Sequence, residues 1–310
     1  MNQTRSEIVE SVMNVSEGRD PRVISAVARA LSDAGASLLN VSSDPDHNRS
    51  VFSLVASRPV IEQAAFDAIR VAIGLIDLRR HSGAHPRIGA VDVVPFIPIE
   101  GVTMADCVAL ARHLGPRVAN ELGVPVYLYE EAALRRDLSQ LPDIRRGGFE
   151  GLLKAVETDP ARRPDFGGPR LHPSAGAVII GARRLLIAFN VFLDTVDVGK
   201  ARQIARAIRE KDGGLPWVRA LGFLLPCRGR AQVSVNLRDF RVTPLIEVWK
   251  KICEEASRLG VRPVSSELIG LAPAAALPPN PVEALRLQHF HAGLVLETRI
   301  REALAAKGDG

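Results

Sequence analysis

The 310-residue chain carries 40 Lys and Arg against 35 Asp and Glu, a formal net charge of +5, with 46% hydrophobic and 24% charged residues. This composition is globular and excludes collagen-like, disordered and coiled-coil chains; the length suits two domains of ordinary size. The basic balance favours anionic partners, but with aromatics at 5% and no aromatic-and-basic motif, small polyanions are expected and nucleic acid is not.

Cys107, Cys227 and Cys253 are odd in number and show no C-x-x-C spacing, which argues against a disulfide framework or a cysteine zinc site and for a cytoplasmic location. Glu7 and Glu10 interrupt any basic-then-apolar leader pattern. The longest apolar run, "AGAVIIGARRLLIAFNVFL", is broken by Arg183 and Arg184, so no membrane span or membrane partner is expected.

Ile8 to Val15 reads as a strand. Asp20 as N-cap and Pro21 as first residue then open a helix with Val23, Val27 and Leu31 at helical spacing, stopped by Gly35. Residues 37–43 and 50–57 read as a hairpin around "SSDPDHNRS". Pro59 opens a helix to about Leu78, residues 90–97 form a strand, Thr103 caps a helix to about Leu122, and "VPVYLYE" is another strand. Residues 131–170 are rich in Arg, Asp, Pro and Gly and read as a long surface excursion with a little helix.

Strands resume with "AVIIG" and "LLIAFNVFL", followed by a helix over 198–211, a hairpin over 219–237, a helix over 244–259, a strand near Val264 and a terminal helix over 281–307. The order βαββαβαβ, with a hairpin between helices, predicts an α/β sandwich of mixed strand directions and not a doubly wound sheet. No Rossmann or P-loop glycine pattern is present. Two subdomains, residues 1–178 and 179–310, each a ferredoxin-like βαββαβ sheet covered by helices, are expected, with the ligand cleft between them.

The stretch "RRHSGAHPRIGAVDVVPFIP" places His81 and His85 four residues apart. A helical zinc pair needs a glutamate beside the first histidine and an unbroken helix; Ser82, Gly83 and Pro86 supply neither, so no metal is expected. His289 and His291 lack a third ligand nearby and read as solvated. His85 is either a structural polar residue or a general base, since an imidazole can take and return a proton near neutral pH. Arg87 and Asp92 keep it company.

"VMNVSEGRDPRVISAVARAL", "DPDHNRSVFSLVA", "HSGAHPRIGAVDVVPFIPIEGVTMADCVALA", "ELGVPVYLYEEAA", "PDFGGPRLHPSAGAVIIGARRLLIAFNVFL" and "AQVSVNLRDFRVTPL" follow one another over about residues 8–275. Together these blocks resemble the formiminotransferase domain of formiminotransferase-cyclodeaminase, the glutamate formimidoyltransferase family. The resemblance implies two α/β subdomains with a folate tunnel between them, usually in a homodimer. It implies transfer of the formimino group of N-formimidoyl-L-glutamate to N5 of tetrahydrofolate, the co-substrate, in histidine degradation, with a separate cyclodeaminase acting on the product.

The family's catalytic motif falls on His85-Pro86-Arg87-Ile88-Gly89-Ala90, which selects His85 as general base and acid. Its folate-binding segment falls on Gly167, Gly168, Pro169, Arg170, Leu171, His172, Pro173, Ser174, Ala175 and Gly176. The substrate-binding candidates are Asn14, Arg49, Arg87 and Asp92; Arg170 is a further partner for carboxylates, which a guanidinium can grip bidentately. Ala84 and Ser42 stand where the family has acidic residues, and His172 and Ala175 where it has an apolar and an aromatic one. A folate-binding homologue without formimino transfer, or a formyltransferase acting on folate, is therefore the alternative.

Overall fold

The first helix starts as its sequence requires. Asp20 accepts a hydrogen bond from Arg22 N at 2.9 Å, and Pro21 occupies the first turn, where a missing N–H costs nothing. In the computed structural model, which describes residues 7–308, the chain divides between Arg183 and Arg184 into two compact units.

The first unit runs β1 (Ile8–Val15), α1 (Pro21–Asp33), β2 (Ser37–Asp44), β3 (Arg49–Ala56), α2 (Arg58–Leu75), β4 (Val91–Glu100), α3 (Met104–Leu122), β5 (Val126–Glu130), α4 (Leu141–Ile144), α5 (Gly148–Thr158) and β6 (Val178–Ala182). Its sheet has the order β2-β3-β1-β4-β6-β5. The first four strands are antiparallel in the ferredoxin-like pattern, whereas β6 lies parallel between β4 and β5. The unbroken run "VIIGA" suits that place, since a parallel strand is buried on both faces. Because β6 is bonded into this sheet, the unit extends to Arg183 and does not end at residue 178.

Strand alternation sorts the two faces. Val9 and Met13 of β1 and Phe52 and Leu54 of β3 join Val27, Leu31, Ile61 and Ile69 of α1 and α2 in one core. Each fully buried Leu or Ile there contributes about 1.5–3 kcal/mol. Glu10, Val12 and Asn14 of β1, with Val51 and Ser53 paired across from them, therefore face the other way.

Residues 131–170 are not a surface excursion. The helix α5 buries Phe149, Leu152 and Val156 at helical spacing against the core. Arg162 is 7% exposed and donates through Nη1 and Nη2 to the carbonyls of Asp143, Ile144 and Arg146 at 2.9–3.1 Å.

The second unit runs β7 (Ile187–Leu193), α6 (Val198–Ile208), β8 (Val218–Leu225), β9 (Arg230–Leu237), α7 (Leu245–Arg258), β10 (Pro263–Ile269), α8 (Pro281–Leu285) and α9 (Leu296–Gly308). Its antiparallel sheet, β10-β7-β9-β8, repeats the βαββαβ pattern. The single terminal helix expected over 281–307 is broken into α8 and α9. Between them Ser266 N donates to Arg286 O at 2.9 Å and Gln288 N to Ser266 O at 2.8 Å, so this segment lies beside β10. That pairing places Leu287 in the core and takes Arg286 and His289 to positive φ, where a helix cannot continue.

Candidate active site

The connection between α2 and β4, residues 76–90, is tied to the β2–β3 hairpin by one residue. Asn48, left-handed at φ 48, accepts from Gly18 N at 2.9 Å through Oδ1 and donates to Ser82 O at 3.0 Å through Nδ2. Its own carbonyl accepts from His81 Nε2 at 2.9 Å. Ala84 N donates to Asp46 O at 3.0 Å. Gly83 permits this closeness, since a Cβ there would lie 2.2 Å from His47 O.

His81 is thereby a structural histidine. Its Nε2–H goes to a carbonyl, so Nδ1 is an acceptor, and Arg87 Nε donates to it at 2.9 Å. Burial holds its pKa below the ordinary value, which matches this neutral tautomer. Arg87 also grips both carboxylate oxygens of Glu150, at 2.8 and 3.2 Å, and donates to His81 O at 3.1 Å. These bonds direct Arg87 to holding the loop.

His85 is placed differently. Nδ1 lies 2.8 Å from Pro86 O, which can only accept, so the hydrogen is on Nδ1 and the lone pair on Nε2. Arg49 Nη1 lies 2.6 Å from that Nε2 and also touches Nδ1. Burial first, then Arg49, Arg145 and His47, hold His85 well below its ordinary pKa, so it is a neutral base at pH 7. The His47 ring stands 5.8 Å away, centroid to centroid.

Arg49 starts β3 and reaches Asn14 on the neighbouring β1, donating to its Oδ1 through Nε at 3.0 Å and through Nη2. Burial, then Arg145, bring its guanidinium down to about 9, with Asp92 opposing; it remains a cation at neutral pH. Asp92, 2% exposed, accepts from Ile88 N at 2.8 Å and pairs with Arg145. The cluster thus holds two guanidiniums, Arg49 and Arg145, around one carboxylate, which is a field suited to an anion.

The glycine-rich segment divides in two. His172 and Gly176 exchange backbone hydrogen bonds of 3.0 and 2.9 Å, and His172 Nδ1 accepts from Ala175 N at 3.0 Å. This turn docks on the His85 loop through Leu78 N to Ser174 O, Ala90 N to Ala175 O and Ala177 N to Ile88 O, at 2.8–3.0 Å. Gly176, at φ 71, would place a Cβ 2.0 Å from Ile88 O. Leu171 and Ala175 are buried, Pro173 is exposed, and Ser174 is half-buried, while Gly167, Gly168, Pro169 and Arg170 are exposed, Arg170 pairing with Glu157 at 3.2 Å.

The structure therefore brings Asn14, Arg49, His85 and Asp92 together, sets residues 171–176 behind the loop, and leaves 167–170 on the surface. Sequence reasoning missed Arg145 and Glu150, hidden in a segment full of similar charges, and also His47 and Asn48. For the last two a signal existed: they lie in the "DPDHNR" turn that precedes Arg49. Among the described residues no helix is long and apolar enough to cross a membrane.

A family model of the formiminotransferase domain, N-terminal subdomain, matches residues 8–183, and one of the formiminotransferase domain matches residues 188–281. The glutamate formimidoyltransferase of Thermoplasma acidophilum is 44% identical over 299 residues, covering 96% of this chain and 98% of its own. That of Streptococcus pyogenes is 44% identical over 274 residues, covering 88% and 91%. The formimidoyltransferase-cyclodeaminase of Sus scrofa is 45% identical over 283 residues, covering 88% of this chain and 51% of its own. With family models matching residues 8–183 and 188–281 and the Thermoplasma acidophilum relative aligned over 96% of this chain and 98% of its own, the chain belongs to the formiminotransferase family.

Proposed function

We propose that this protein transfers the formimino group of N-formimidoyl-L-glutamate to N5 of tetrahydrofolate, with His85 as general base and acid. Tetrahydrofolate supplies the nucleophilic nitrogen. The observation that carries the reading is the His85 imidazole, neutral, with its lone pair on Nε2, beside Arg49, whose side-chain hydrogen bonds among the described residues go to Asn14 Oδ1 and this ring. His85 Nε2 takes the proton that N5 sheds and returns one to the departing glutamate nitrogen. Such proton transfer contributes about 10² to 10⁴ in rate.

Arg49 is the partner for a glutamate carboxylate, which a guanidinium binds bidentately, and Asn14 orients it. When a carboxylate draws Arg49 off the imidazole, Nε2 is freed for the proton. Asp92 keeps Arg145 in place, and Gly167–Gly176 contributes backbone groups to folate. The relatives' names support the donor and the transfer. The reading carries with it a cytoplasmic location and a homodimer. The joined name of the Sus scrofa relative supports a cyclodeaminase acting on the product.

Arg49 Nη1 on His85 Nε2, together with Ala84 in place of an acid, favours one second reading, a folate-binding homologue without transfer. Mixing the pure protein with N-formimidoylglutamate and tetrahydrofolate and following 5-formimidoyltetrahydrofolate by absorbance separates the two. Turnover is expected. Folate binding by calorimetry with no product formed would establish the second reading instead.

A further inference from the structure

Glu10 lies in the middle of β1, 2% exposed, and its Oε2 has no hydrogen-bond partner. An unpaired buried carboxylate is costly, and such groups need an explanation. Burial pushes Glu10 up to about 7, with Arg183 nearby opposing the shift. Two more buried oxygens without partners are Ser53 Oγ and Asn40 Oδ1.

The three lie on one face of the sheet. Asn40 pairs with Ser53 and Ser53 with Val12, while Glu10, two residues from Val12, pairs with Val55. All three residues thus share the sheet face that carries Asn14 and Arg49, opposite α1 and α2. Glu10 stands four residues from Asn14 on the same strand, about 13 Å at about 3.3 Å per residue. Less a hydrogen bond of about 3 Å at each end, this rise leaves about 7 Å along the face between Glu10 and the Asn14 end, where Arg49 joins Asn14 to His85, a breadth that suits a flat two-ring heterocycle.

We propose that Glu10, with Ser53 diagonally across on β3 and Asn40 beyond it on β2, binds the 2-amino-4-oxopyrimidine edge of the folate co-substrate, its carboxylate accepting from the ring N3–H and the 2-amino group. This rests on the folate reading of the site given above. A carboxylate facing two parallel N–H donors makes a charge-assisted bidentate pair, the chemistry that an unpartnered buried Glu lacks and this ring edge supplies. The amidine of the donor substrate offers a similar pair of donors, but it is the group that reacts at His85 and is consumed there.

The test is calorimetric, on the full chain, with 5-formyltetrahydrofolate and its 2-desamino analogue as probes. Wild type should bind the 2-desamino compound about 10- to 100-fold more weakly than the parent, the range of a lost hydrogen bond to a charged group. Glu10→Gln should bind the parent more weakly by a similar factor and no longer distinguish the two probes. Its KM for N-formimidoylglutamate should stay at the wild-type value. Wild type binding both probes alike overturns the inference without any variant, and so does a Glu10→Gln protein that still distinguishes them. Failure of wild type to bind 5-formyltetrahydrofolate at all overturns the folate reading together with it.

Discussion

The two units share the βαββαβ pattern, which the first extends with β5 and β6, and within that shared pattern they differ most in one connection. In the first, residues 76–90 join α2 to β4 and carry His81, His85 and Arg87; in the second, residues 259–262 join α7 to β10 directly. The short connection buries Val261 and carries one exposed ion pair, Arg262 with Asp194 at 3.1 Å. The long one is held down by Asn48 and Glu150 and places an imidazole over a buried charge cluster. A repeated fold therefore need not repeat a charge cluster, because one connection can add side chains that the common scaffold lacks.

The largest effect expected from breaking this contrast is at His85. His85→Ala should lower kcat by about 10² to 10⁴ in steady-state assays, with thermal midpoint and folate affinity close to wild type. Next comes the buried pair beneath it. Asp92→Asn leaves Arg145 buried with a neutral partner and should cost on the order of 3–5 kcal/mol in urea unfolding; an unchanged midpoint would show that the pair is open to solvent.

His81→Ala should behave in the opposite sense to His85→Ala. Loss of its bonds to Asn48 and Arg87 should cost about 1–3 kcal/mol of stability, with a smaller fall in kcat than at His85. Equal loss of kcat in the two variants would erase the distinction between a holding and a reacting histidine. At the bottom of the scale, Arg262→Ala in the short connection should change stability by no more than about 0.5 kcal/mol and leave kcat alone.

Proton linkage sharpens the same contrast. His81 and His85 have pKa values held below their unfolded value of about 6.5, so below that pH the unfolded chain binds more protons than the native one. Their contribution to stability is complete above about pH 6.5 and is lost as the pH falls. The urea midpoint of wild type should decline from pH 7 to pH 5, and His81→Ala and His85→Ala should each flatten that slope. Arg49→Gln removes a cation that depresses His85, so the acid limb of kcat/KM should move to higher pH.

Much of the fold was legible because it is local. Asp20 with Pro21, Thr103 with Asp106 and the glycines Gly35 and Gly123 mark helix ends by capping chemistry, and the hairpin of β2 and β3 follows from alternation and the turn between them. The terminal region failed for a non-local reason, since a helical sequence gave way to pairing with Ser266. The 131–170 segment failed because its charge concealed the apolar spacing of Phe149, Leu152 and Val156.

The sequence by itself determined most of the element order and the repeated pattern; Gly83 and Pro86 argued against a helical metal pair, and the resemblance carried by the contiguous motif singled out His85. Only the tertiary structure showed that His81 is bonded into its loop through Asn48 and Arg87 while His85 stands against Arg49 in the buried charge cluster. It alone joined Arg145 to Asp92, across residues 92 and 145, and left Glu10 unpaired on the face with Asn14 and Arg49. The physical reason is that capping and periodicity act within a few residues of chain, whereas burial, charge neighbours and the tautomer of a histidine depend on groups that only folding brings together.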